Sequence, residues 1–290
     1  MIVSSRFAAA VVVVIALVAC TSTPTVRTTP TDPSLQIARL LEQGDVAAKG
    51  GQIDLAFQLY LSAERLDPKD ERALVRAGNL HRMLGKRETA ERAWELALER
   101  NTKNAPARES LGFLFLETGR YDEAVESFET VLEIDPKAKR AAIGLGLACE
   151  KRLDFARALQ IYEEALQTDP ESIELRTYRA RSLMGLGRFA EARSLIISIV
   201  NEPLPVTWIV RGDLFAIEGE YAAALGAYLE TLAAPWAYQR LGEHALRRQE
   251  YERAMRYFQQ AAEASPDFFE DADRGLAVAR EHLHSRSDSK

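Results

Sequence analysis

Large apolar residues in this chain recur at spacings of three and four, the period of one helix face rather than the alternation of a strand. From Tyr121 to Ile134 the apolar set is Tyr121, Ala124, Val125, Phe128, Val131 and Leu132. Just before it, Pro106 to Thr118 reads as another amphipathic helix. Pro sits in its first turn, where the missing N–H is harmless, and Gly119 is placed to close it. Asp135-Pro136 ends the second helix, since the residue before Pro is pushed away from helical backbone. Ala105 to Ala138 is therefore a helix–turn–helix unit.

The unit recurs. A small alanine followed four residues later by a bulky residue marks the second helix at Ala56, Ala90, Ala124, Ala158 and Ala192, each interval being 34 residues. Ala224 and Ala254 continue the series at intervals of 32 and 30, so connections near Pro203-Leu204-Pro205 and Pro235 are shortened. The bulky residues are Tyr60, Trp94, Phe128, Tyr162, Ile196, Tyr228 and Phe258. Twelve residues before each alanine stands a small residue: Gly44, Gly78, Gly112, Gly146, Ala180, Gly212 and Gly242. A closing Pro follows as Pro68, Pro136, Pro170 and Pro266. This period and signature resemble the tetratricopeptide repeat. The resemblance implies an all-α, right-handed superhelical solenoid of seven helix pairs over residues 37–268. Residues 269–290 read as a capping helix and tail, with Phe268, Phe269, Ala272, Leu276 and Ala279 on one face. A single pair cannot bury its apolar face, whereas stacked neighbours can.

The amino terminus departs from this pattern. Arg6 is the only charge before Cys20, and Phe7 to Ala19 is unbroken apolar sequence, the layout of a secretory signal peptide and too short to span a bilayer comfortably. Leu17-Val18-Ala19-Cys20 resembles the bacterial lipobox, which implies cleavage after residue 19 and lipidation of Cys20. The alternatives are an ordinary signal peptide with a chance Cys, or an uncleaved anchor. Several acyl chains hold a protein stably at a membrane. Thr21 to Ser34 is rich in Thr and Pro, and residues 20–36 are read as lipidated Cys and tether, reaching about 40 Å at the roughly 3.1 Å per residue of polyproline II. By resemblance to sorted lipoproteins, Thr21 points to the outer membrane, facing the periplasm.

Removing residues 1–19 leaves 36 basic against 43 acidic residues. That mildly acidic balance, without a basic stripe, argues against nucleic acid. With Cys20 lipidated, Cys149 is the only thiol, so no intrachain disulfide forms; it reads as a buried small hydrophobe. His81, His244, His282 and His284 have no metal-binding spacing, and His282 and His284 read as part of a solvated tail. Gly144-Leu145-Gly146 lies inside a helix and is no phosphate loop. No nucleophile motif appears, no cofactor or small-molecule substrate is implied, and the expectation is a protein that is not an enzyme.

What remains is a binding surface. In the family that the chain resembles, the first helix of each pair lines an inner groove through residues three before and one after the packing Gly. Those are Leu41 and Asp45, Val75 and Asn79, Glu109 and Phe113, Ile143 and Leu147, Thr177 and Arg181, Ile209 and Asp213, Gln239 and Glu243. Phe113, Leu116, Ile143 and Leu147 are expected to form an apolar patch, with Arg72, Arg76 and Arg82 clustered on its amino-terminal side and Arg181 beyond. The competing reading packs these side chains between neighbouring helices. The carboxylate clamp of one subclass is missing, since Val75, Ser110 and Gly144 occupy its polar positions. An exposed patch suits a helix or extended peptide with apolar anchors. Lipobox, tether and repeats together resemble the TadD family of tight-adherence pilus assembly and the pilotins of type IV pili. They imply protein partners in an envelope assembly, with an adaptor for peptidoglycan enzymes like NlpI, or a lipoprotein self-associating through Pro205 to Ala234, as alternatives.

Overall fold

A computed structural model describes residues 32–199, 204–265 and 270–287. The signal segment, Cys20 and the tether up to residue 31 lie outside the described residues, as do Pro203, Pro266, Phe268 and Phe269. The described residues form helices without a strand.

The first three pairs are α1 (Pro33–Lys49) with α2 (Ile53–Leu66), α3 (Arg72–Met83) with α4 (Arg87–Arg100), and α5 (Ala105–Glu117) with α6 (Tyr121–Ile134). Then come α7 (Lys139–Lys151) with α8 (Phe155–Thr168) and α9 (Ile173–Gly185) with α10 (Phe189–Ser198). Last are α11 (Pro205–Glu218) with α12 (Tyr221–Leu229), α13 (Ala234–Arg247) with α14 (Tyr251–Ala264), and a single α15 (Glu270–Ser287). One sequence expectation shifts. Residues 33–36 belong to α1 rather than to a tether, because the Asp32 carboxylate accepts from the Ser34 amide and Pro33 opens the helix. His282 is exposed, as expected, and lies in α15 with its ring stacked on Tyr251 at 5.3 Å.

The turn inside each pair is built alike. Gly119 has φ +78°, a left-handed value that costs Gly little, and the equivalent position one repeat later holds Leu153 at φ +63°. The shortened repeats shorten their second helices, with α10 ending at Ser198 and α12 at Leu229.

The glycine–aromatic pairing carries the packing. A Cβ on Gly112 would meet the Phe128 ring at 2.8 Å, and one on Gly144, in the next repeat, would meet the same ring at 2.3 Å. The aromatic of each second helix thus fills space left by small residues on first helices. Phe128, Trp94, Tyr162, Tyr228 and Phe258 are fully buried. At the carboxyl end Gly275 of α15 closes on Phe258 in the same way, and Ala272 and Ala279 are buried, so α15 caps the array as a further first helix.

Each odd-numbered helix from α1 to α13 packs closely on the next odd-numbered helix, whereas successive even-numbered helices lie farther apart and are bridged by long side chains. Odd helices therefore line the tighter, inner face and even helices splay on the outer one.

Candidate partner-binding surface

The inner face is laced by contacts between consecutive odd helices. Arg76 Nε donates to Asp45 at 3.0 Å, Ser110 Oγ to Asn79 at 3.3 Å, and Arg140 approaches Glu109 at 3.5 Å. Farther along, Arg181 Nε donates to Glu150 at 2.6 Å, and the Thr177 and Thr207 hydroxyls share a hydrogen bond at 2.9 Å.

The two rows of expected groove residues behave differently. Three before the packing residue, Leu41, Val75, Ile143, Thr177 and Gln239 are buried. Val75 and Ile143 are thus core, not groove anchors, because odd helices touch one another and this row falls in the seam between them. One after it, Asn79 is exposed, and Phe113, Leu147 and Arg181 are half-buried. Phe113 leans edge-on against Phe128 at 5.0 Å between ring centroids, and the guanidinium of the exposed Arg140 sits 5.2 Å over the Phe113 ring. Leu116 and Leu147 are half-buried against the same central core. The middle of the inner face accordingly offers half-exposed apolar edges of Phe113, Leu116 and Leu147, rimmed by Arg140 and Asn79. Truncating Phe113 removes core packing as well as surface.

The arginine cluster is not a free cationic site. Arg72 pairs with Asp70 at 2.5 Å, Arg76 with Asp45, and Arg82 with Glu117 at 2.9 Å. Asp70 is held below the usual carboxylate range mainly by its hydrogen bond from Arg72. Arg181 likewise serves Glu150, whose carboxyl burial pushes up against the pull of Arg181 and Ser182.

Sequence reasoning missed a buried polar knot at Asp213. The Tyr228 hydroxyl donates to Asp213 at 2.7 Å, Arg240 donates twice at 2.6 Å, and His244 Nε2 lies 3.1 Å away. Burial alone would raise the Asp213 pKa, but hydrogen bonds from His244 and Arg240 outweigh it and hold the carboxyl below its ordinary value. Asp45, Tyr60 and Arg76 make the same arrangement in the first repeat, with Tyr60 donating to Asp45 at 2.9 Å. An Asp directly after the packing Gly, with a Tyr as the bulky residue, was the available signal.

Among the described residues no group of three or more His, Cys, Asp and Glu side chains stands ready for a metal ion. Cys149 is buried and its thiol pKa is raised by that burial, away from reactivity. No described helix is long and apolar enough to cross a membrane.

Comparison with known proteins agrees with this architecture. Tetratricopeptide repeat profiles match residues 41–109, 75–139 and 110–173, then 153–203, and 237–272. None of these profiles describes a catalytic domain. No curated protein sequence matches the chain. Among solved structures, the chain is similar to a tetratricopeptide repeat protein from Parabacteroides merdae, with TM-score 0.68 and 22% identity over 85% of this chain and 99% of that one. It is similar to PilF of Pseudomonas aeruginosa, with TM-score 0.59 and 17% identity over 76% of this chain and 98% of that one. PilW, a widely conserved type IV pilus biogenesis factor, follows at TM-score 0.58 and 20% identity over 66% of this chain and 90% of that one. At such identities the likeness is one of fold.

Proposed function

Because the chain belongs to the tetratricopeptide repeat family, whose repeats present surfaces for protein partners, we propose that it is a lipid-anchored scaffold of the bacterial outer membrane. Facing the periplasm, it holds segments of an envelope assembly, a pilus or its secretion apparatus. The observation that carries the binding role is the inner face around Phe113, Leu116 and Leu147, where apolar edges stay half-exposed on two first helices, α5 and α7, that touch. An amphipathic helix or extended segment with apolar anchors fits it, and an acidic residue flanking the anchor fits Arg140.

The anchoring half of the proposal rests on sequence: Leu17-Val18-Ala19-Cys20 and the Thr/Pro-rich residues after it. The pilus half is supported by that same layout and by the shared fold with PilF and PilW. An adaptor for cell-wall enzymes uses the same surface and differs only in the partner.

Cys20→Ser tests the anchor. Palmitate labelling should vanish and the protein should leave the outer-membrane fraction. Labelling that persists in the variant contradicts lipidation at Cys20, and pilus assembly that is unaffected by deleting the protein contradicts the pilus role.

A further inference from the structure

Among the described residues nothing stacks on the first repeat from its amino-terminal side, and that side is unlike the same position in the later repeats. Val46, two residues after the packing Gly44, is 65% exposed. The equivalent residues of the later repeats, Leu80, Leu114, Ala148, Ser182, Leu214 and His244, are all at most 5% exposed because a preceding repeat covers them. Val46 thus occupies a stacking position that no described residue covers. On α2, Leu55 is exposed where the later repeats carry Thr89, Glu123, Arg157 and Glu191. Val46, Leu55 and Leu59 line a hollow of about 510 Å³, bordered by Arg39, Glu42 and Gln52.

The outer stripe of α1 has its own symmetry. Asp32, the N-cap, and Leu35, Arg39, Glu42, Val46 and Lys49 follow one another at alternating spacings of three and four residues, the seam of a helix pair, and all six are exposed. The stripe is self-complementary about the midpoint between residues 40 and 41. Two copies of α1 laid antiparallel across a two-fold axis there set Arg39 against Glu42, Leu35 against Val46, and Lys49 against Asp32 of the second copy. Each charge then meets its opposite and each apolar residue an apolar one, twice over.

We propose that this edge is a docking surface for a second copy of the chain, forming an isologous dimer through antiparallel α1 helices, with Leu55 and Leu59 flanking the seam. The proposal is independent of the inner-face reading, since it uses the end of the array and leaves the groove open. Two other occupants fit less well. Residues 21–31 offer Val26 as their only large apolar side chain, too little for a seam of Leu35, Val46 and Leu55. A membrane surface rich in anionic lipid is disfavoured by Glu42 in the middle of the stripe and Asp54 beside it.

Sedimentation velocity on a chain starting at Thr21, which keeps every described helix, reads the association directly. The wild type should sediment as a dimer. Arg39→Glu sets like charges together across the two-fold, as does Glu42→Arg, and each should weaken dimerisation by about tenfold or more. The double variant Arg39→Glu with Glu42→Arg should restore it, while circular dichroism stays unchanged throughout because both positions are exposed. A monomer at all concentrations overturns the proposal, as does a dimer indifferent to both reversals. Dimerisation that appears only when the chain starts at Asp32 overturns it too, by showing that residues 21–31 fill the hollow.

Discussion

Asp213 shows how a single side chain ties two repeats together. It lies in α11, and its partners come from α12 and α13, so the knot spans a repeat boundary. Asp213→Asn leaves Arg240 without its counter-charge beside a buried site and should cost about 3 kcal/mol. Because the folded-state pKa is depressed below the unfolded value, the stabilisation is complete above roughly pH 4 and is lost as pH falls through the range below it. Glu150, raised by burial, runs the other way: its contribution is present in acid and lost as pH rises through its folded pKa. Denaturant titrations between neutral and acid pH should therefore show a shallower acid loss in Asp213→Asn than in the wild type. An equal slope in both would mean that Asp213 is not the ionised hub. None of this was legible in the spacing of apolar residues, since the partners of Asp213 lie 15, 27 and 31 positions away on other helices. Periodicity reports which face a residue occupies, not which polar group crosses to meet it.

At the scale of helices, the packing glycines explain both what the sequence revealed and where it misled. The interval of 34 residues located the helix pairs because each repeat must place a small residue opposite a large one to bring two helices together, and Tyr121–Ile134 forms as the pattern predicts. Gly112→Leu should force the Phe128 ring out of the gap between α5 and α7, with a cost of about 1 to 3 kcal/mol. Helicity at low temperature should survive, with the melting midpoint lowered, because the damage stays near one interface. An unchanged midpoint in a thermal circular dichroism scan would contradict the register. The same close approach buried Val75 and Ile143. Once glycines let first helices touch along the inner face, Val75 and Ile143 of the row three before the Gly fall in the seam, whereas Asn79, Phe113 and Leu147 of the row after it stay at least partly open. Apolar character could not separate seam from groove, because both favour it.

The described residues form an array of nearest-neighbour interfaces, with α15 stacked on one end and the apolar edges of Phe113, Leu116 and Leu147 in the middle of the inner side. Ion pairs between successive even helices, such as Arg100 with Glu64 at 2.6 Å and Arg120 with Glu91 at 2.5 Å, run along the outer side. Each is worth little alone at a wet surface, and the even helices also expose apolar side chains such as Leu61, Leu96 and Ile197. The central claim rests instead on the neighbouring apolar edges of α5 and α7: partners dock on the inner face, not the outer one. Photo-crosslinking in intact envelopes tests it most directly, with a photoreactive residue replacing Arg140 on the inner face or the exposed Glu126 on the outer face of α6. The account predicts a discrete protein adduct from position 140 and none from position 126. Adducts from position 126 alone would contradict it.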